Sequence, residues 1–100
     1  MARFDVHARR DGGPGFLLDC QADLLSDLNT RFVVPLLPEA EAPRPASRLN
    51  PLFEIGGKRV VMVTQFAAAI PTRELGERGG SLAERQDEVL NALDMLITGF

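Results

Sequence analysis

Between Arg3 and Arg9 apolar and polar residues alternate: Phe4, Val6 and Ala8 share one side, and Arg3, Asp5, His7 and Arg9 the other. A period of two marks a strand with one face on a core and the other in water, so His7 is expected on the solvated face. The cluster RDGGPG breaks the run. FLLDCQ resumes it with Phe16, Leu18 and Cys20 on one side, which predicts an antiparallel hairpin closed by a loop longer than a two-residue turn. ADLLSDLNT reads as an exposed connection, yet it sets Leu24 beside Leu25. The pair either plugs the edge of a core or belongs to an exposed contact surface.

RFVVPLLP is apolar on both faces and predicts a central strand. Pro35 lacks a ladder donor and calls for a bulge or an edge position. EAEAPRPASRLNP has no period and reads as a surface loop. LFEIGGKRVVMVTQF gives a strand, a Gly56-Gly57 turn that permits positive φ, and a return strand with neither face polar. AAAIPTREL follows as an extended connection around Pro71, with Ile70 and Leu75 turned inward.

Ser81 with Glu84 three residues on is a capping-box pattern, and it predicts a helix starting there. At 100° per residue Leu82, Val89, Leu93 and Leu96 form one stripe, flanked by Leu90 and Ile97, that packs on the sheet. Gly99 suits the left-handed position that closes a helix. Phe100, a large hydrophobe as the last residue, either tucks against a symmetry mate or folds back onto its own barrel.

A chain of 100 residues with 45% hydrophobic and 25% charged residues makes one domain, residues 1–100. At this size roughly 60–70% of the unfolded surface is buried on folding, so a partner subunit would add noticeably to stability. The net charge of −3 argues against affinity drawn from nucleic-acid phosphate, which needs clustered Lys and Arg. Cys20 is the single cysteine, which rules out an internal disulfide and fits a reducing compartment. Its strand context makes it a small buried hydrophobe. No apolar signal region opens the chain and no apolar stretch is long enough for a membrane span, so a cytoplasmic protein with no membrane association is expected.

Catalysis needs a nucleophile or a metal, a base and an orienting group. His7 is the sole histidine. Glu39 and Glu41 lie in the proline-rich loop, and Asp87, Glu88 and Asp94 on an exposed helix flank, without pairing for acid–base work. No phosphate loop and no Cys/His cluster occurs, so no cofactor or metal is expected. The weight moves from an enzyme to a protein that acts by binding.

The order and spacing of FDV, LDCQADLL, RFVVPLLP, SRLNPLFEIGGKRVVMVTQ, AAAIP and RQDEVLNALDMLITGF resemble the CcdB family of bacterial toxins over nearly the whole chain. The resemblance implies a β-rich α+β fold: an SH3-like antiparallel β-barrel with a small β wing and a C-terminal α-helix, assembled as a homodimer. It implies a toxin that is not an enzyme. The dimer enters the interface of the DNA gyrase A subunits and traps the cleaved DNA complex, and a CcdA-like antitoxin wraps it and strips it off. The gyrase-binding positions carry over onto Leu24, Leu25, Asp94, Ile97, Thr98, Gly99 and Phe100. The well-known toxins end Trp-Gly-Ile, and here Thr98-Gly99-Phe100 keeps only the glycine. Loss of a large aromatic anchor commonly costs ~2–4 kcal/mol, roughly 30- to 1,000-fold in affinity. Two alternatives stand beside this reading. One is a homologue that binds antitoxin without poisoning gyrase. The other is a ribonuclease like the MazF and Kid toxins of the same barrel, for which Arg31, Arg73 and His7 are the candidate groups.

Overall fold

A computed structural model describes residues 2–99. In chain order the elements are β1 (Asp5–Arg9), β2 (Phe16–Asp19), β3 (Thr30–Pro38), β4 (Leu52–Ile55), β5 (Lys58–Met62), β6 (Ala68–Pro71), β7 (Leu75–Ser81) and α1 (Gln86–Thr98). Short 3-10 turns fill several connections, among them Asp23–Leu25, Thr64–Phe66, Thr72–Glu74 and Ala83–Arg85. The strands form one antiparallel sheet in the order β4-β5-β3-β2-β1-β7, with β6 added beside β3. The sheet curls into a half-barrel, and the C-terminal helix packs into its main core.

The nine residues of β3 organise the sheet. One of its edges meets β2 throughout Phe16–Asp19, and the other meets β6 along Thr30–Val33 and then β5 along Leu36–Pro38. Pro35 sits where that second edge changes partner. Its carbonyl accepts the Val63 N–H at 3.0 Å, so its nitrogen points to the same side, into the gap between β6 and β5. A residue without a donor is tolerated there because no ladder bond is asked of it.

One face of the curled sheet carries the main core: Phe4, Val6, Leu18, Val34, Leu36, Phe53, Ile55, Val60 and Met62, covered by Leu82, Val89, Ala92 and Leu93. The opposite face is buried as well. Val33, Val61, Val63 and Leu75 lie there outside the main cluster, together with Asp5, His7, Asp19 and Arg31. Arg31 is 1% exposed, and its guanidinium sits 2.7 Å from Asp19 Oδ2, with Nε donating to the same carboxylate at 3.1 Å. Asp19 Oδ1 accepts the Gln21 N–H, so both carboxylate oxygens are used.

Several expectations change. His7 is buried, not solvated: it is 4% exposed, with Nδ1 3.1 Å from Gly76 O. The cause is β7, which pairs with β1 through two register shifts and shields its far edge. A strand of sequence LGERGGS has weak strand propensity and no apolar alternation, so pairing rather than pattern defines it. AAAIPTREL is likewise not a plain connection, since Ala68–Pro71 is a strand paired with β3; Leu75 is buried and Ile70 half-buried. Ser81 Oγ accepts the Ala83 N–H at 3.1 Å, but no side chain caps the 3-10 turn Ala83–Arg85 or the α-helix, which begins only at Gln86. The buried stripe is Leu82, Val89, Ala92 and Leu93, whereas Leu90, Leu96 and Ile97 face outward. The Gly56-Gly57 turn forms as expected, with both φ positive and Ile55 opposite Lys58.

Candidate functional site

Leu24 and Leu25 lie on the 3-10 turn Asp23–Leu25 between β2 and β3. Residues 22–30 are all exposed, and Leu24, Leu25 and Leu28 are 93%, 48% and 51% accessible. Such a turn would be mobile if nothing held it, but three bonds do. Gln21, itself 8% exposed, donates from Nε2 to Leu25 O and accepts the Phe32 N–H at Oε1, both at 2.9 Å. Asp23 Oδ1 accepts the Arg3 N–H at 2.7 Å. One buried amide therefore ties the turn to the central strand and leaves the leucines pointing to solvent. Gln21 is outside the contact set expected from the sequence, although a glutamine between a strand end and an apolar pair is a usable signal.

Asp94, Ile97, Thr98 and Gly99 close α1 and are all exposed. Thr98 Oγ1 donates to Asp94 O at 2.7 Å, the back-bond that hydroxyl side chains make within a helix. Gly99 takes φ 81° and ψ 12°, and its N–H donates to Met95 O, so the left-handed closure expected from the sequence is present. Ile97 is 75% exposed and Leu96 42%. Phe66, 52% exposed, adds an aromatic on the turn that packs beside α1. The helix-end residues thus form one group and the leucine turn another, on separate elements. Phe100 lies outside the described residues, so neither placement expected for it is tested.

The groups considered for catalysis do not come together at an accessible point. Arg31 is neutralised by Asp19 in the interior, His7 is enclosed, and Arg73 stands exposed on the Thr72–Glu74 turn. The Gly76 carbonyl oxygen accepts, so His7 Nδ1 is the donor of that bond, and Nε2 is buried with no hydrogen-bond partner. Burial pushes the Cys20 thiol up to about 12, with the Asp19 charge adding to the effect and Arg3 opposing it. Cys20 is half-buried and packs against the main core, less enclosed than the buried hydrophobe expected. Among the described residues no cluster of three or more His, Cys, Asp or Glu has metal-binding geometry. No described helix is long and apolar enough to cross a membrane.

Two cavities flank the β1–β2 loop. One, of about 240 Å³, is lined by Leu17, Pro35 and Ile70 with Arg9, Arg10 and Glu74. Its arginines are engaged: Arg9 pairs with Asp11 at 2.8 Å, and Arg10 Nε donates to Leu75 O at 2.9 Å. The other, of about 390 Å³, opens towards Lys58 and Arg59.

Comparison with known proteins adds two findings. The family model described as CcdB protein matches residues 3–99. A solved structure described as an endoribonuclease in complex with its cognate antitoxin, from a mycobacterial species, is similar in fold, with a TM-score of 0.74 and 14% identity over 97% of this chain and 94% of that one.

Proposed function

From the premise that the chain belongs to the CcdB family, we propose that it is the toxin of a two-component toxin–antitoxin module, that it poisons DNA gyrase by binding the A subunit, and that a CcdA-like antitoxin neutralises it. In this reading the protein works in the cytoplasm as a homodimer, and it performs no covalent step. It grips the enzyme while DNA is cleaved and prevents religation.

The observation that carries the reading is which apolar side chains the surface presents. Leu24 and Ile97 are the two most exposed large hydrophobics described, at 93% and 75%. Both occupy positions that the family resemblance assigns to the gyrase contact. Leu24, Leu25 and Leu28 share one exposed connection between β2 and β3, and exposed hydrophobes grouped in this way mark protein contacts. The absence of the family's tryptophan at Thr98 shifts the anchoring onto these aliphatic side chains and lowers the affinity relative to the well-known toxins.

Induction of the gene in a sensitive bacterium tests the proposal. Growth should stop with DNA breakage, and cells carrying a gyrase A subunit resistant to known CcdB toxins should survive. Equal arrest in the resistant strain would exclude gyrase as the target.

A further inference from the structure

The leucine turn has few means of its own to keep one shape. Leu25 N–H donates to Ala22 O, Ser26 N–H to Asp23 O and Leu28 N–H to Leu25 O, at 2.9, 3.1 and 3.1 Å. Residues 22–30 are all exposed, so water competes for both partners of each bond, and none of these residues belongs to the main core. Local bonds in water add little net stability, and a segment held by them alone samples many backbone states.

Gln21 supplies what the turn lacks. It is 8% exposed, and its amide is used at both ends: Oε1 accepts the Phe32 N–H from β3, and Nε2 donates to Leu25 O, each at 2.9 Å. Its backbone is fixed as well, because its N–H donates to Asp19 Oδ1 at 3.0 Å and Asp19 is paired with Arg31 in the interior. Leu25 O is therefore the point where the turn's own bond and a tether from the sheet meet. Beyond the turn, Thr72 N–H donates to Asn29 O at 2.9 Å and fastens the end of the connection. A buried side chain thus sets the direction in which Leu24 leaves the surface, without itself being open to contact.

We propose that Gln21 is a positioning residue for target binding: it holds Leu24 and Leu25 in the conformation that the target receives, so that forming the complex does not have to order the turn. The role rests on the gyrase reading of the proposed function. Ordering the backbone of a single residue costs roughly 5- to 30-fold in a binding constant, so loss of the tether should weaken binding about tenfold.

Affinity of the full chain for the purified gyrase A subunit, measured by surface plasmon resonance, tests it with two variants. Gln21→Met removes both amide bonds at nearly the same side-chain length. Gln21→Glu keeps an acceptor for the Phe32 N–H; at about pH 8 the introduced carboxylate cannot donate to Leu25 O, and protonation towards about pH 5 restores a donor. Asp19, Asp23 and Arg31, the charged groups bonded into this corner, are the same in the wild type, so the ratio of variant to wild-type affinity at each pH isolates the introduced group. Gln21→Met should bind about tenfold more weakly at both pH values. Gln21→Glu should bind about tenfold more weakly at the higher pH and regain most of the wild-type affinity at the lower. Backbone NMR order parameters of residues 22–28 should fall in Gln21→Met while those of β2 and β3 hold. Wild-type affinity in Gln21→Met, no recovery of Gln21→Glu on acidification, or an equally ordered turn overturns the role of Gln21 alone. Should Gln21→Met fail to fold, Gln21→Glu decides by its pH profile. A wild type that does not bind the gyrase A subunit overturns the gyrase reading, and the role with it.

Discussion

Arg31 is the largest of the fully buried side chains, and it reaches that position because Asp19 meets it from the neighbouring strand with both groups 1% exposed or less. Removing one partner leaves the other charge buried alone, so Arg31→Met should lower the unfolding free energy by about 3–5 kcal/mol, read by urea denaturation. Asp5 carries the pH dependence at this scale. Burial opposes its ionisation, but the Ala2 N–H and the Arg78 guanidinium outweigh that and hold its pKa below the ordinary 3.8. A carboxylate depressed on folding stabilises the protein above its unfolded pKa, and the contribution is lost as pH falls through the folded value. Unfolding free energies measured from about pH 5 to about pH 2 should therefore decline, and Asp5→Asn should make the decline shallower. Cys20, with its thiol at about 12, should resist alkylating reagents at neutral pH until denaturant is added. The alternation around His7 was legible as a strand, but its burial was not: a period of two says which residues share a face, not whether a later segment returns to cover it.

At the scale of elements, the helix separates stability from surface. Leu93 is 9% exposed and packs on the sheet, so Leu93→Ala should cost ~2–4 kcal/mol. Ile97 is 75% exposed, and Ile97→Ala should change stability by no more than about 0.5 kcal/mol while weakening any contact made by the helix end. Parallel melts of the two variants check both statements. The helical period found this element from the sequence, yet it drew the stripe too wide at its C-terminal end, because a helix that overhangs its sheet exposes residues that have the right phase and nothing beneath them. β7 was invisible for the opposite reason. LGERGGS carries the composition of a loop and becomes a strand only because β1 offers it an edge. The hairpin at Gly56-Gly57 was readable because its turn chemistry is local.

For the whole molecule, the sequence motifs located the family, and Leu24 and Ile97, two positions expected for the gyrase contact, are exposed. The tether through Gln21 and the cavity beside Lys58 were not legible, since each depends on residues far apart in the chain brought together by pairing. The most direct measurement of the central claim is DNA cleavage by purified gyrase in the presence of this protein. The account predicts that cleaved complexes accumulate with the wild type and not with Leu24→Glu/Ile97→Glu, a variant that changes only exposed side chains and melts as the wild type does. No accumulation with the wild type, or equal accumulation with the variant, would contradict it.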